Sequence, residues 1–237
     1  MSNSSFDSDF KTIPFYQNHE FMLPFVGDNY ESPKHKKLLL VGESSYMPNG
    51  STIHHDVDLW YSRDINFWNE LKEDEQKNCS IHGARYWKCS SFDKNIDSAV
   101  REAFPDVGEN AFNEMASYNY FLRPSDGGSF EDVCTERDRE ESVKVFYNLL
   151  EILKPDFIVL ASMFALKCVE GDFPRYCNCY LWDYTSNHKM HYIFTRHPSK
   201  PRWWNKAKEA IIHGKDYFHG LTSKQFFIES LKENWLV

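Results

Sequence analysis

The segment Leu38-Leu-Leu-Val-Gly-Glu-Ser-Ser-Tyr46 contains an uninterrupted apolar run that ends at Gly42 and is followed by polar residues. Such a run indicates a β-strand that is buried on both faces, as in a parallel sheet. Three further strands are predicted at 117–122, 157–161 and 191–195. Because predicted helices alternate with these strands, we expect an α/β protein. Its three layers, α/β/α, would enclose a central, mostly parallel four-stranded sheet.

The longest helical pattern runs from Glu141 to Lys154, where apolar residues recur at helical spacing until Pro155 ends the helix. Ser162 is placed to cap the next helix, which is predicted to end near residue 169. Further helices are predicted from about residue 64 and at 96–104, 203–213 and 224–236, and residues 176–182 are predicted as an edge strand or hairpin arm.

The composition is that of a globular domain and argues against several classes of protein. The chain has 237 residues, of which 41% are hydrophobic and 26% charged. It therefore suits a single domain over 1–237, with residues 1–36 as an arm packed on it. No apolar run approaches the ~20 residues that cross a bilayer, and the polar N-terminus is unlike a secretory signal. We therefore expect a cytoplasmic monomer that does not bind membranes. A net charge of −8 argues against histone-like coating of nucleic acid.

Six cysteines are present, and none is part of a CxxC pair. We predict that the thiols are reduced and mostly structural. A zinc site that combines Cys168 with Cys177-Asn-Cys179 is the alternative, although CxC alone is a weak metal signal. We expect neither a metal nor a cofactor.

Polar residues follow the predicted core strands at the points where functional groups of parallel sheets gather. In such sheets the ligand lies outside the carboxyl ends of the strands. The candidates are Glu43, Ser44, Ser45 and Tyr46 after the first strand, Asn119 and Arg123 at the second, and His197 and Ser199 after the last. We expect these segments to line one pocket.

The order of these motifs resembles the uracil-DNA glycosylase superfamily over residues 38–213. The similar segments are Leu38 to Tyr46, Asn66-Phe67-Trp68, Tyr118-Asn-Tyr-Phe-Leu-Arg-Pro124, Leu150 to Leu160, and Phe194-Thr-Arg-His-Pro-Ser199. Each is weak alone, and their shared order along the chain carries the resemblance. The resemblance implies the uracil-DNA glycosylase fold. It also implies that the partner is DNA with a damaged base, or a free nucleobase, and that the reaction is hydrolysis of the N-glycosidic bond between base and sugar.

The resemblance also implies roles for single residues. His197 would donate a hydrogen bond to O2 of the departing base, and Asn119 would bind the edge of uracil. Tyr46 would exclude the methyl group of thymine, and Phe67 would stack on the base. Ser45 and Ser199 would hydrogen-bond phosphates, and Trp203 or Trp204 would be a wedge between base pairs. Independently of the resemblance, the basic cluster that includes Lys200 and Arg202 adjoins the candidate site and predicts salt-dependent contacts with DNA.

One departure from the family pattern concerns the attacking water. The position usually held by Asp or Asn is Ser44, and serine is a poor general base at neutral pH. Glu43 is the candidate replacement. A module on the same fold that binds a nucleobase or nucleic acid without cleaving it is therefore the alternative function.

Overall fold

The computed structural model describes residues 2–62, 71–205, 211–212 and 215–237, and for 211, 212, 215 and 216 it describes only the backbone. Phe67 and the predicted helix from about residue 64 lie largely outside this part of the chain. The α-helices of the described residues are α1 (Asp7–Phe10), α2 (Pro14–Asn18), α3 (Val57–Tyr61), α4 (Glu73–Cys79), α5 (Ile81–Trp87), α6 (Ser91–Ala103), α7 (Glu136–Leu153), α8 (Met163–Cys177), α9 (Leu181–Asn187) and α10 (Ser223–Asn234).

The central sheet contains the four predicted strands and one additional strand. Its members are β1 (Phe25–Val26), β2 (Leu38–Gly42), β3 (Ala116–Asn119), β4 (Phe157–Leu160) and β5 (His191–Phe194). Their spatial order is β1-β3-β2-β4-β5. The strands β3, β2, β4 and β5 pair in parallel, whereas β1 is antiparallel to β3. The α/β class is thus confirmed, and the predicted four-stranded sheet becomes a five-stranded mixed sheet.

The added strand belongs to the N-terminal arm, residues 1–36, for which the sequence predicts no strand. Two residues are too few to show an alternating pattern, and Pro24 immediately precedes them. The strand is formed because Phe25 and Val26 find partners on β3. At Gly27 a Cβ atom would lie 2.2 Å from the carbonyl oxygen of Asn113, so only glycine permits this close approach.

Alternating residues of the strands face two separate hydrophobic cores. Leu39 and Val41 of β2 pack on the side of α7 and α8, and Leu38 and Leu40 pack on the side of α6 and α10. Helices therefore cover the sheet on both faces. This explains why the core strands are continuous apolar runs and lack polar alternation.

Two predicted elements differ from the structure. Residues 176–182 are not a strand, because α8 continues to Cys177 and α9 begins at Leu181. The apolar spacing of Ala165, Val169 and Phe173 buries one helical face, and this packing carries the helix on to Cys177, into the segment predicted as a strand. The predicted helix at 203–213 is also wrong near both of its ends, in the parts of this segment that the structure describes. Pro201–Trp203 is a single 3₁₀ turn, and β6 (Ile211–Ile212) pairs with β7 (Lys215–Asp216).

A buried ion pair joins the end of β3 to the start of α7. Arg123 donates through Nε and Nη2 to the two carboxylate oxygens of Asp138, at 2.8 and 2.7 Å. Asp138 also accepts from the hydroxyl group of Tyr61 at 2.9 Å and forms the capping box of α7 with Thr135. Arg123 was a strand-end candidate for the site, but its guanidinium is buried and serves the fold.

We expect Asp138→Ala to lower the free energy of unfolding by about 3–5 kcal/mol, because it leaves the Arg123 charge buried without a partner. Urea unfolding measures this loss. Asp132→Ala, at an exposed position nearby in sequence, should change the free energy by less than about 0.5 kcal/mol. Equal, small losses for both variants would contradict the structural role of the pair.

Candidate functional site

A cavity of about 790 Å³ lies at the carboxyl ends of β2 and β3. It brings together the loop after β2, the end of β3 and the loop after β5. The lining residues that the sequence predicts for the site are Glu43, Ser44, Ser45, Tyr46, Asn119, His197 and Ser199. The opposite wall comes from α4, α5 and the start of α6. A volume of this size accommodates a nucleotide-sized ligand.

The parallel register of β2 and β3 places Asn119 in the cavity. Gly42 and Asn119 are direct partners in this register. A Cβ atom at residue 42 would lie 2.3 Å from Oδ1 of Asn119, so the glycine leaves the space that this side chain occupies. Nδ2 of Asn119 donates to Oγ of Ser45 at 3.0 Å. One N–H of the amide is thus used to orient it, while the second N–H and the carbonyl lone pairs suit a ligand edge.

The carboxylate of Glu43 is engaged by neighbouring segments. Its Oε1 accepts from the backbone N–H of Phe130 at 2.9 Å, and its Oε2 accepts a short hydrogen bond from the hydroxyl group of Ser162. Ser162 is also the N-cap of α8. Glu43 therefore ties the β2 loop to two other segments, and each of its carboxylate oxygens already accepts a hydrogen bond from the protein.

His197 has a defined tautomer. The backbone N–H of Ser199 points to Nδ1 at 3.3 Å, and Oγ of Ser199 lies 2.8 Å from the same nitrogen. Because a backbone N–H can only donate, Nδ1 accepts, and in the neutral ring the proton is on Nε2. The side chain of Asn95 donates to the carbonyl of Pro198 at 2.8 Å and holds this loop.

The surroundings of His197 favour the neutral ring. Burial lowers its pKa, and the charges of Lys200 and Arg85 lower it further, while Glu43 opposes them. Above this lowered pKa, His197 is a neutral donor through Nε2.

The wall formed by Arg85 and Phe92 was not predicted from the sequence. Phe92 lies 5.2 Å from the ring of His197, centroid to centroid. The guanidinium of Arg85 lies over Phe92 at 4.8 Å and forms a buried ion pair with Asp93. The one local signal is the spacing of Ser90 and Asp93 in Ser90-Ser-Phe-Asp93, a capping box that marks the start of α6 but not its position at the site.

The remaining predicted residues lie at the rim or away from the cavity. Ser44 is partly buried in the lining, and Tyr46 is 41% exposed with its hydroxyl group donating to the carbonyl of Gly128 at 3.2 Å. Lys200 and Arg202 are exposed just after His197. Phe67 lies outside the described residues.

The prediction of Trp203 as a DNA wedge is wrong. Its side chain is fully buried and packs against Phe227, 5.7 Å between centroids. The 3₁₀ turn directs it into the core between the sheet and α10, because a large apolar ring gains more from burial than from exposure. Trp204, the alternative wedge, is 47% exposed.

The cysteines do not form the alternative zinc site within the described chain. All six are free thiols, and Cys168 interacts with Cys134 instead of joining Cys177 and Cys179 as a ligand cluster. No helix among the described residues has the length and apolar character needed to span a membrane.

Comparisons with protein-family models, with curated proteins and with solved structures found no match to this chain. The resemblance to the uracil-DNA glycosylase superfamily therefore rests on the order of the sequence motifs alone.

We expect the pKa of His197 to lie below 6.5, the ordinary value, because burial disfavours the imidazolium. Removing a nearby positive charge by Lys200→Gln should raise this pKa. The measurement is an NMR titration of the ring protons, assigned with His197→Gln. Lys36→Gln, at the opposite edge of the sheet, should leave the value unchanged. A wild-type pKa above 6.5 would contradict the proposed environment.

Proposed function

We propose that the protein binds a nucleobase extruded from DNA in this cavity and hydrolyses its N-glycosidic bond, in the manner of the uracil-DNA glycosylase superfamily. The observation that carries the proposal is the orientation of His197. Its Nδ1 is occupied by Ser199, which leaves a neutral Nε2–H donor on a residue that lines the same cavity as Asn119.

The chemistry of base removal requires such a donor. When the bond between C1′ of the sugar and the ring nitrogen breaks, the base keeps the electron pair and negative charge develops on its O2. Water supplies the oxygen that bonds to C1′, and its proton neutralises the departing base. A preorganised N–H at O2 stabilises this charge, as in an oxyanion hole. We assign that role to His197.

Recognition of the base is assigned to Asn119 and to the aromatic wall. The amide of Asn119 offers both an acceptor and a donor, which suits the N3–H and O4 groups of uracil. Cytosine carries an amino group at position 4 and matches this pattern poorly. Phe92, beside His197, supplies an apolar face within the described residues. Tyr46 lines the same cavity, and we assign to it the exclusion of the methyl group of thymine.

Contact with DNA is assigned to the loop after β5. Lys200 and Arg202 are exposed there, next to Ser199, and Ser45 lines the same cavity. Because the whole chain carries a net charge of −8, phosphate binding would depend on this local pair of cations. Such binding weakens as the salt concentration rises.

Binding without cleavage is the second candidate function, and a specific observation favours it. The carboxylate of Glu43 is engaged by Phe130 and Ser162, and Ser44 lacks a carboxylate to position water. A free nucleobase or single-stranded nucleic acid would then be held without hydrolysis.

If the protein is a glycosylase, His197→Ala should slow uracil excision by about 10²–10³-fold, or ~2.7–4 kcal/mol, because it removes one donor to the charged base. The assay uses single-stranded uracil DNA followed by alkaline cleavage of abasic sites. His191→Gln, at an exposed position at the start of β5, is the matched control and should retain full activity. An active wild type with equal rates for both variants would remove His197 from the mechanism.

Ser44→Asp should raise the excision rate, because a carboxylate at this position can orient the attacking water. Ser44→Ala serves as the control for loss of the hydroxyl group alone. Binding of uracil DNA is measured in parallel by fluorescence anisotropy. If wild type and Ser44→Asp both bind uracil DNA but neither excises the base, the function is binding and the proposal of hydrolysis fails.

A further inference from the structure

Two adjacent histidines and an aspartate converge outside the cavity. His54 and His55 end a 3₁₀ turn, Ile53–His55, and Asp126 lies in the loop that follows β3. Nε2 of His54 is 2.9 Å from Oδ1 of Asp126, and Nε2 of His55 is 2.8 Å from Oδ2. The three ligand atoms lie within 4.8 Å of one another. Neither the sequence pattern nor the proposed function accounts for this cluster.

His54 is a buried polar side chain whose ring nitrogens lack hydrogen-bond partners among the described residues. It is only 1% exposed, and among the described residues neither of its ring nitrogens is in hydrogen-bond geometry. Nε2 approaches Asp126 closely, but its orientation does not suit a hydrogen bond. Burying an imidazole in this way is unfavourable unless another group satisfies it.

The other two members of the cluster are open to solvent. The side chains of His55 and Asp126 are 50% and 59% exposed, so a hydrated ion can reach the cluster from that side. The nearby charges are Glu75, which interacts electrostatically with His54, and Arg123. The Arg123 charge is already compensated by Asp138. The remaining charges near the cluster are therefore negative and favour the binding of a cation.

We propose that His54, His55 and Asp126 bind a zinc ion, with a fourth position open to water. Two imidazole nitrogens and one carboxylate oxygen are a donor set that zinc accepts, with bonds of about 2.0–2.2 Å. Tetrahedral bonds of this length separate the ligand atoms by roughly 3.3–3.5 Å. The three ligand atoms, which lie within 4.8 Å of one another, must move to this spacing, and the two exposed side chains allow that movement. Calcium and magnesium prefer sites made of oxygen ligands.

The zinc site has a structural consequence for the cavity. The loop that carries Asp126 also contacts the β2 loop, because the backbone N–H of Met47 donates to the carbonyl of Ser125 at 2.9 Å. The hydroxyl group of Tyr46 reaches Gly128 in the same loop. A zinc ion would therefore join the turn at His54 and His55 to the loop that supports the rim. Zinc binding by these three residues does not depend on nucleobase binding in the cavity.

The test uses Co²⁺ as a spectroscopic substitute for zinc on the full chain, stripped with a chelator and kept reduced. We expect one equivalent to bind, with visible d–d bands of a low-coordinate site, no thiolate charge-transfer band, and displacement by one equivalent of Zn²⁺. His55→Gln and Asp126→Asn should each weaken binding by at least about tenfold, since even the loss of groups outside the ligand set costs that much.

His191→Gln and Asp132→Asn change the same residue types at exposed positions elsewhere and should bind Co²⁺ like the wild type. Circular dichroism checks that each variant is folded. If His55→Gln or Asp126→Asn fails to fold, NMR of the wild type decides, because Zn²⁺ must shift the ring resonances of both His54 and His55. Three results would overturn the proposal: the wild type binds no cobalt, the spectrum shows a thiolate charge-transfer band, or both variants keep the wild-type affinity. Asp126 would then serve only as a hydrogen-bond acceptor. Uracil excision has no part in this test, so its failure and that of the proposed function are separate.

Discussion

The parallel pairing of β2 with β3 on one side and with β4 on the other positions the residues of the cavity. This register sets Gly42 beside Asn119 and Val41 beside Leu160, so the chain segments after these strands emerge at one edge. Both faces of β2 are buried, and shifting the register by one residue would exchange its two apolar sets between the cores. The cost of such an exchange keeps the strand ends, and therefore the cavity, in place.

Some charged residues near these strand ends are buried in ion pairs that support the fold, and others are exposed to solvent. Arg123 and Arg85 both lie close to the edge of the sheet, and each is buried in an ion pair with an aspartate at the start of a helix. A buried guanidinium is tolerated only when its charge and its donors are matched. Arg85 therefore supports the wall of the cavity and Arg123 joins the segment after β3 to α7, whereas Lys200 and Arg202 remain exposed and available to a charged ligand.

The chemistry proposed for the cavity depends on how two side chains are held. Ser199 sets the tautomer of His197, which leaves one nitrogen as a donor. Glu43 is held by Phe130 and Ser162, so its negative charge is satisfied within the fold. For the proposed chemistry, the site offers a hydrogen-bond donor to a charged base more clearly than a group that activates water. This imbalance is what makes hydrolysis and simple binding distinct possibilities for the same geometry.

Much of this architecture follows from local sequence. The core strands are continuous apolar runs, and α7 has regular helical spacing, so both were predictable from neighbouring residues alone. The polar residues that follow the strands also indicated the edge where the candidate site lies.

Contacts between residues that are distant in sequence had no such local signal. The strand at Phe25 exists only because β3 offers free backbone groups, and Trp203 is buried because α10 packs over it. Likewise, Glu43 accepts a hydrogen bond from Ser162, and His54 contacts Asp126, although both pairs are far apart in the sequence.

The periodicity of a sequence indicates which face of a helix or strand is buried. The partner of a polar side chain, in contrast, is decided only when the helices and strands pack together.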